Sequence, residues 1–203
     1  VASAFEHPGE NEGETLFEGM MKIFIASKRL SSATLRQRYG DAHIIDVTSR
    51  GTEPWVRFSP FYPHGNIPVP FSSGVVSASV EGIWQGLKVF EQMDVDPSRF
   101  AVVSMKGIKR SARKYGNVLG HRAGIAGVRL LSYIEARYLI YLPSYRWVLD
   151  HCLQEQLGDL QRLAAEKSLG LLDYETNVEL EDCSRPLSHA GLIKRYLEGD
   201  WPV

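Results

Sequence analysis

The sequence predicts a single helix-rich α+β domain with a small N-terminal sheet. Two short runs near the N-terminus, Lys22 to Lys28 and His43 to Thr48, have the β-branched and aromatic content of strands. The second half instead repeats apolar residues at helical spacing, as in Leu149, Leu153, Leu157, Leu160 and Leu163. With 203 residues, 44% of them hydrophobic, and no Pro/Gly/Ser-rich break in its middle, the chain suits one core rather than two.

Taken in order, residues 1–19 carry Glu6, Glu10, Glu12, Glu14 and Glu18 among glycines and few large apolar side chains, which predicts a mobile acidic arm. Residues 20–203 are then the globular domain. After the first strand, Ser31 or Ser32 can cap a short helix that runs to Tyr39 and stops at Gly40, before the second strand. From Trp55 to Ser79, prolines at 60, 63, 68 and 70 favour a structured loop or edge strand. Ser79 caps a helix expected to run to Phe90, with Glu81 in its first turn, where the helix dipole favours a negative charge. Gly82 and Gly86 weaken that helix and suggest that something approaches its backbone closely. Further helices are expected over Val128 to Leu142, Ser144 to about Lys167 and Leu187 to Leu197, with a strand or extended connector from Leu169 to Tyr174.

No apolar run approaches the roughly 18 to 20 residues of a membrane helix. The N-terminal residues also lack the basic start and apolar stretch of a secretory signal, so the expectation is a cytoplasmic protein. Cys152 and Cys183 are too few for a disulfide framework and stand in no metal-ligand spacing with the six histidines. No metal or organic cofactor is called for.

Helical periodicity brings Glu81, Gln85 and Lys88 within about 60° of one another, opposite Ile83 and Leu87. Such a stripe is ordinarily a solvated polar face. Here, however, Glu81 and Lys88 are the only charges between Val76 and Phe90, which favours a cleft, where burial tunes acids, bases and nucleophilic lysines. In front of this helix, Phe58, Phe61 and Tyr62 crowd a proline-edged loop. Phe58 and Phe61 serve equally well as core anchors, and Tyr62 is the better candidate for stacking on a base or sugar. Beyond it, Lys106, Lys109, Arg110, Arg113, Lys114, Arg122 and Arg129 supply seven cations interleaved with glycines, and no acid occurs between Lys106 and Ile134. That segment suits phosphate, or else is a solvated basic surface. His121 lies within it and could meet a phosphate, whereas His189, near a helix start, is read as a capping or core residue.

The order Phe58-Ser-Pro-Phe-Tyr-Pro63, then about twenty residues, then Glu81 with Gln85 and Lys88 at +4 and +7, resembles the NADAR family, whose pattern is an F-S-x-F-x-P-like loop followed by S-E-x-x-x-Q-x-x-K. The resemblance covers about 35 residues well and extends towards Arg122. NADAR proteins are N-glycosidases acting on riboflavin-pathway intermediates or on ADP-ribose linked to guanine in nucleic acid. The resemblance implies a NADAR-like fold and hydrolysis of the bond between ribose and a base or amine. Glu81 would activate water or stabilise the sugar cation, and Lys88 would be its electrostatic partner or an imine-forming nucleophile. Phe58, Phe61, Tyr62, Trp84 and Gln85 would contact the sugar or base, and Lys106, Arg110, Arg113, His121 and Arg122 the phosphates. The sequence departs from the pattern at Gly82 and has no copy of the late D-x-x-W-G segment; its tail offers Asp173-Tyr-Glu-Thr-Asn177, Asp182 and Pro186-Leu-Ser-His-Ala190 instead, which leaves the second carboxylate open, with Asp182 the best available candidate. Two other readings stay open: a non-catalytic ADP-ribose or nucleotide reader, and a nucleic-acid binder using residues 106–129.

Overall fold

The computed structural model describes residues 22–202, so the acidic arm expected over residues 1–19 lies outside the described residues. The chain opens with β1 (Ile23–Ser27), α1 (Ser32–Tyr39) and β2 (His43–Asp46). Ser31 caps α1 by accepting from the Thr34 N–H at 3.1 Å, and Gly40 ends it with φ at 62°. A 3₁₀ turn at Trp55–Phe58 and a two-residue pair, β3 (Ile67–Pro68) with β4 (Val76–Ser77), make up the proline-rich stretch. Next come α2 (Val80–Leu87), β5 (Lys88–Phe90), a 3₁₀ turn at Pro97–Ala101, α3 (Ala112–Tyr115), β6 (Val118–Arg122) and β7 (Leu130–Leu131). The last third holds α4 (Tyr133–Ala136), a π-helical turn (Arg137–Tyr141), α5 (Leu142–Cys152), α6 (Gln154–Glu166), β8 (Leu169–Asp173) and α7 (His189–Leu197).

This is a mixed α+β domain, as the sequence predicts. Its main sheet has the order β1-β8-β2, with all strands parallel, so the late strand β8 is threaded between the two N-terminal ones. All five β8 residues are buried, which is why its sequence is a nearly continuous apolar run. Side chains alternate across the sheet. Ala26 and Leu172 pack under α1 with Leu35, while Ile23, Leu169 and Leu171 join the main core with α5, α6 and α7. Parallel strands share a direction, so Ser27, Asp46 and Asp173 end together on one edge of the sheet.

Three expected boundaries are corrected. The helix from Ser79 stops at Leu87 rather than Phe90, because Lys88 turns extended (φ −68°, ψ 136°) and Lys88, Val89 and Phe90 pair with His121, Gly120 and Val118 of β6. Val128 to Leu142 is not one helix. Leu130 and Leu131 complete the β5-β6-β7 sheet, and the helix begins only after Ser132, where a capping box with Glu135 fixes its start. The long helix from Ser144 divides at Leu153, whose φ of −127° and ψ of 16° are not helical, and Pro143 lies in the first turn of α5, where it is tolerated. Among the described residues no helix is long and apolar enough to cross a membrane.

Candidate active site

The carboxyl edge of the parallel sheet is where open sheets leave a crevice for ligands, and a cleft of about 560 Å³ lies there. The segments after β2 (Thr48, Ser49) and β8 (Tyr174, Glu175) line it, together with Phe61, Glu81, Lys88, Lys109, Arg110, Tyr141, Asp173 and His189.

Glu81 is placed by the start of α2. Ser79 caps the helix through the Gly82 N–H at 3.0 Å, and the Glu81 N–H donates to the Pro60 carbonyl at 2.9 Å, tying the helix to the aromatic loop. Every residue of α2 is buried, so the polar stripe is a cleft wall and not a solvated face. Gln85 Nε2 donates to Glu81 Oε1 at 2.9 Å, and Gln85 Oε1 accepts from the Arg110 N–H at 3.0 Å. The second bond fixes which end of the amide faces the carboxyl group. Burial raises Glu81 above the usual carboxylate range, against the opposing Gln85 bond and the Lys109 and Lys88 ammonium groups. Lys88, although off the helix, still reaches the cleft. Burial lowers its pKa, opposed by Glu81.

Asp182 does not line the cleft, whereas Asp173 and Glu175 do. Asp182 sits in the loop after β8, bonded to Ser184 Oγ at 2.5 Å and outside the cleft, because its side chain closes a local turn. Asp173 ends β8 and lines the cleft. Its Oδ2 accepts from Ser188 Oγ at 2.8 Å, from the Ala190 N–H at 3.3 Å and pairs with His189 Nδ1 at 2.9 Å, while Oδ1 has no protein donor among the described residues. Burial opposes its charge, but the His189 cation and these donors outweigh burial and hold Asp173 below the usual range. His189 Nε2 faces the Val47 carbonyl at 2.9 Å, so both ring nitrogens point at acceptors, an arrangement that favours the protonated ring. Burial lowers its pKa, yet Asp173 outweighs it and the net shift is upward.

The structure divides the other expected contacts. Phe61 and Gln85 line the cleft, and Lys109 Nζ lies 5.3 Å from the Phe61 ring centroid. Phe58 is fully buried and takes the Tyr145 hydroxyl on its carbonyl at 2.7 Å, so it anchors the core. Tyr62 lies outside the cleft, its hydroxyl on Glu53 at 3.1 Å. Trp84 cannot stack on a ligand through its covered face, which packs on His121 at 3.8 Å, although its edge reaches the cleft. His121 itself is fully buried behind that indole, with neither ring nitrogen hydrogen-bonded among the described residues. Burial, with Lys88 and Arg110 nearby, lowers its pKa to about 3.

The basic segment does not converge on the cleft. Arg110 lines it but turns its guanidinium to the carbonyls of Lys88 and Asp94 and over the Phe90 ring. Arg122 pairs with Asp94 at 2.9 Å and Arg129 with Glu135 at 2.5 Å, while Lys106 and Arg113 are exposed elsewhere. Acids on either side of the segment, Asp94 before it and Glu135 after it, neutralise part of what reads as one positive run. Of the cleft's cations, Arg110 and Arg137 spend their guanidinium groups on backbone carbonyls, and Lys88 and Lys109 have no ion-pair or hydrogen-bond partner among the described residues.

Asp173, His189, Tyr141 and Arg137 are absent from the sequence-based site. An acid closing the apolar run Leu169–Leu172 was a usable signal for Asp173; its pairing with His189 depends on contacts across the fold. Arg137, fully buried, donates to the carbonyls of Leu180 (2.6 Å), Asp182 (2.8 Å) and Arg185 (2.7 Å), and so holds the β8–α7 loop against the cleft. Among the described residues no group of three or more His, Cys, Asp or Glu side chains could hold a metal ion.

Fold and site together define a mixed α+β domain with two differently tuned carboxyl groups in a cleft at the end of a parallel sheet. The model of a family of unknown function (DUF6939) matches residues 27–193, and the chain belongs to that family. No curated protein and no solved structure matches it.

Proposed function

We propose that the protein is an N-glycosidase that hydrolyses the bond between ribose and a base or amine in a ribosyl-phosphate or ADP-ribosyl compound. The observation that carries this reading is the pair of carboxyl groups in one cleft, Glu81 pushed up and Asp173 pushed down. Two carboxyl groups whose surroundings separate their pKa values are an acid and a charge stabiliser in waiting. The resemblance of Phe58 to Lys88 to the NADAR N-glycosidases supports the same reaction.

In this reaction protonated Glu81 gives its proton to the leaving nitrogen as the bond to the anomeric carbon breaks. Asp173 Oδ1 stabilises the sugar cation. A water then bonds to the anomeric carbon and returns a proton to Glu81, so the enzyme is restored and one water is consumed. Lys88 and Lys109 hold the anionic part of the substrate.

The test is to incubate the protein with ADP-ribosylated guanine in DNA and with riboflavin-pathway ribosyl amines, and to follow released base by mass spectrometry. Release by the wild type should fall by at least about 100-fold in Glu81→Gln and in Asp173→Asn. Absence of release from every substrate, or undiminished release by both variants, would overturn the assignment.

A further inference from the structure

Tyr141 closes the π-helical turn, an irregularity that recurs at functional sites because it redirects a side chain within a helix. Its ring stacks on Tyr145 with centroids 6.2 Å apart and planes 9° apart, and it meets Trp84 edge-on at 5.7 Å. The ring is therefore held on two sides. Its hydroxyl has no hydrogen-bond partner among the described residues, is not sealed from solvent, and belongs to the cleft that holds Glu81 and Asp173. Tyr145, one turn on, instead spends its hydroxyl on the Phe58 carbonyl.

Burial, reinforced by the charges of Glu81 and Asp173, keeps the Tyr141 hydroxyl protonated far above neutral pH. It offers the cleft a donor. Asp173 Oδ1 offers an acceptor with no protein donor. A sugar hydroxyl is donor and acceptor at once and can satisfy both, whereas a carbonyl or an ammonium satisfies only one of them.

We infer that Tyr141 is the residue that selects a hydroxylated sugar: it donates a hydrogen bond to the ribose hydroxyl next to the anomeric carbon, and that hydroxyl donates to Asp173 Oδ1. The inference rests on the N-glycosidase reading and adds the sugar specificity. A bond to this hydroxyl strengthens as charge develops at the neighbouring carbon, so it acts on the rate as well as on binding. A site with its own polar group committed to a substrate hydroxyl discriminates against the analogue that lacks it, because the group is then left unpaired.

Tyr141→Phe removes the hydroxyl and no intramolecular bond, so the melting temperature should stay within about 2 °C of wild type. Base release is compared on matched ribosyl and 2-deoxyribosyl substrates. The variant should lose about 10- to 100-fold in kcat/KM on the ribosyl compound and less than about threefold on the 2-deoxyribosyl one. Equal losses on both would assign Tyr141 a structural role and overturn the inference, as would full activity on both. Wild-type protein that releases base from neither substrate would overturn the underlying reading, and the inference with it.

Discussion

Two histidines show how strongly surroundings decide a residue's role. His121 is buried with no hydrogen-bond partner for its ring among the described residues, and burial pushes its pKa down to about 3 from its ordinary 6.5. The unfolded chain takes up a proton there between about pH 6.5 and 3 while the folded one does not, so its contribution to stability is whole above that window and falls as pH falls through it, by up to about 1.4 kcal/mol per pH unit. His189 has the opposite slope. Its folded pKa lies above 6.5, so the stability from its ion pair with Asp173 is complete below 6.5 and is lost as pH rises through the folded value. Urea unfolding across pH 4 to 9 should show both slopes, with His121→Phe flattening the acid side and His189→Gln the alkaline side. Unchanged profiles in both variants would contradict these placements. Their neighbours in the sequence point elsewhere: His121 stands next to Arg122 in a basic run, and His189, near a helix start, reads as a capping or core residue. His189 is buried and the cap is Ser188, whose Oγ accepts from the Gly191 N–H at 3.2 Å, while the carboxylate that pairs with His189 lies 16 positions earlier. Sequence proximity carried no information about it.

At the scale of elements, glycines in helices behave according to what faces them. A Cβ on Gly86 of α2 would overlap the Phe100 ring, so Gly86→Ala should cost about 1 to 3 kcal/mol. Gly158 of α6 faces open space, and Gly158→Ala should add up to about 1 kcal/mol. Thermal melts of the two variants shifted in the same direction would contradict this contrast. The sequence suggested close approach at Gly82 and Gly86, and the structure has it, from protein atoms: a Cβ on Gly82 would lie 2.8 Å from Ser77 Oγ and 2.9 Å from the Arg99 carbonyl. The early end of α2 at Leu87 was not legible, because the strand that draws Lys88 out of the helix, β6, lies some thirty residues on. The β8–α7 loop depends on Arg137 in a comparable way. One planar guanidinium meets carbonyls of several loop residues, which an ammonium cannot match, so Arg137→Lys should lower stability by about 3 kcal/mol or more. It should also raise the hydrogen-exchange rates of residues 174–188; unchanged exchange there would show that Arg137 does not hold the loop.

For the molecule as a whole, composition, the N-terminal strand-helix-strand pattern and the helical second half were enough to give the α+β class. What they could not give is the insertion of β8 between β1 and β2, and that insertion creates the cleft, because it brings Asp173 to the edge where Thr48 and Ser49 also end up. Local patterns picked out Glu81, Gln85, Lys88 and Phe61, which line the cleft; the long-range pairing of β8 brings Asp173 to it. The dispersal of the basic segment has a global consequence as well. Binding of an anionic ligand through Lys88 and Lys109 should give a slope of log K against log salt of about −1 to −2, whereas a continuous track through seven cations would give about −6. The central claim is that one cleft shifts two carboxyl groups in opposite directions, Glu81 up and Asp173 down. Carbon-13 NMR of carboxyl-labelled protein, with Glu81→Gln and Asp173→Asn used for assignment, measures both states directly. Glu81 should titrate above its ordinary 4.5 and Asp173 below its ordinary 3.8. Titration of both groups at their ordinary values, or in the reverse order, would contradict the account.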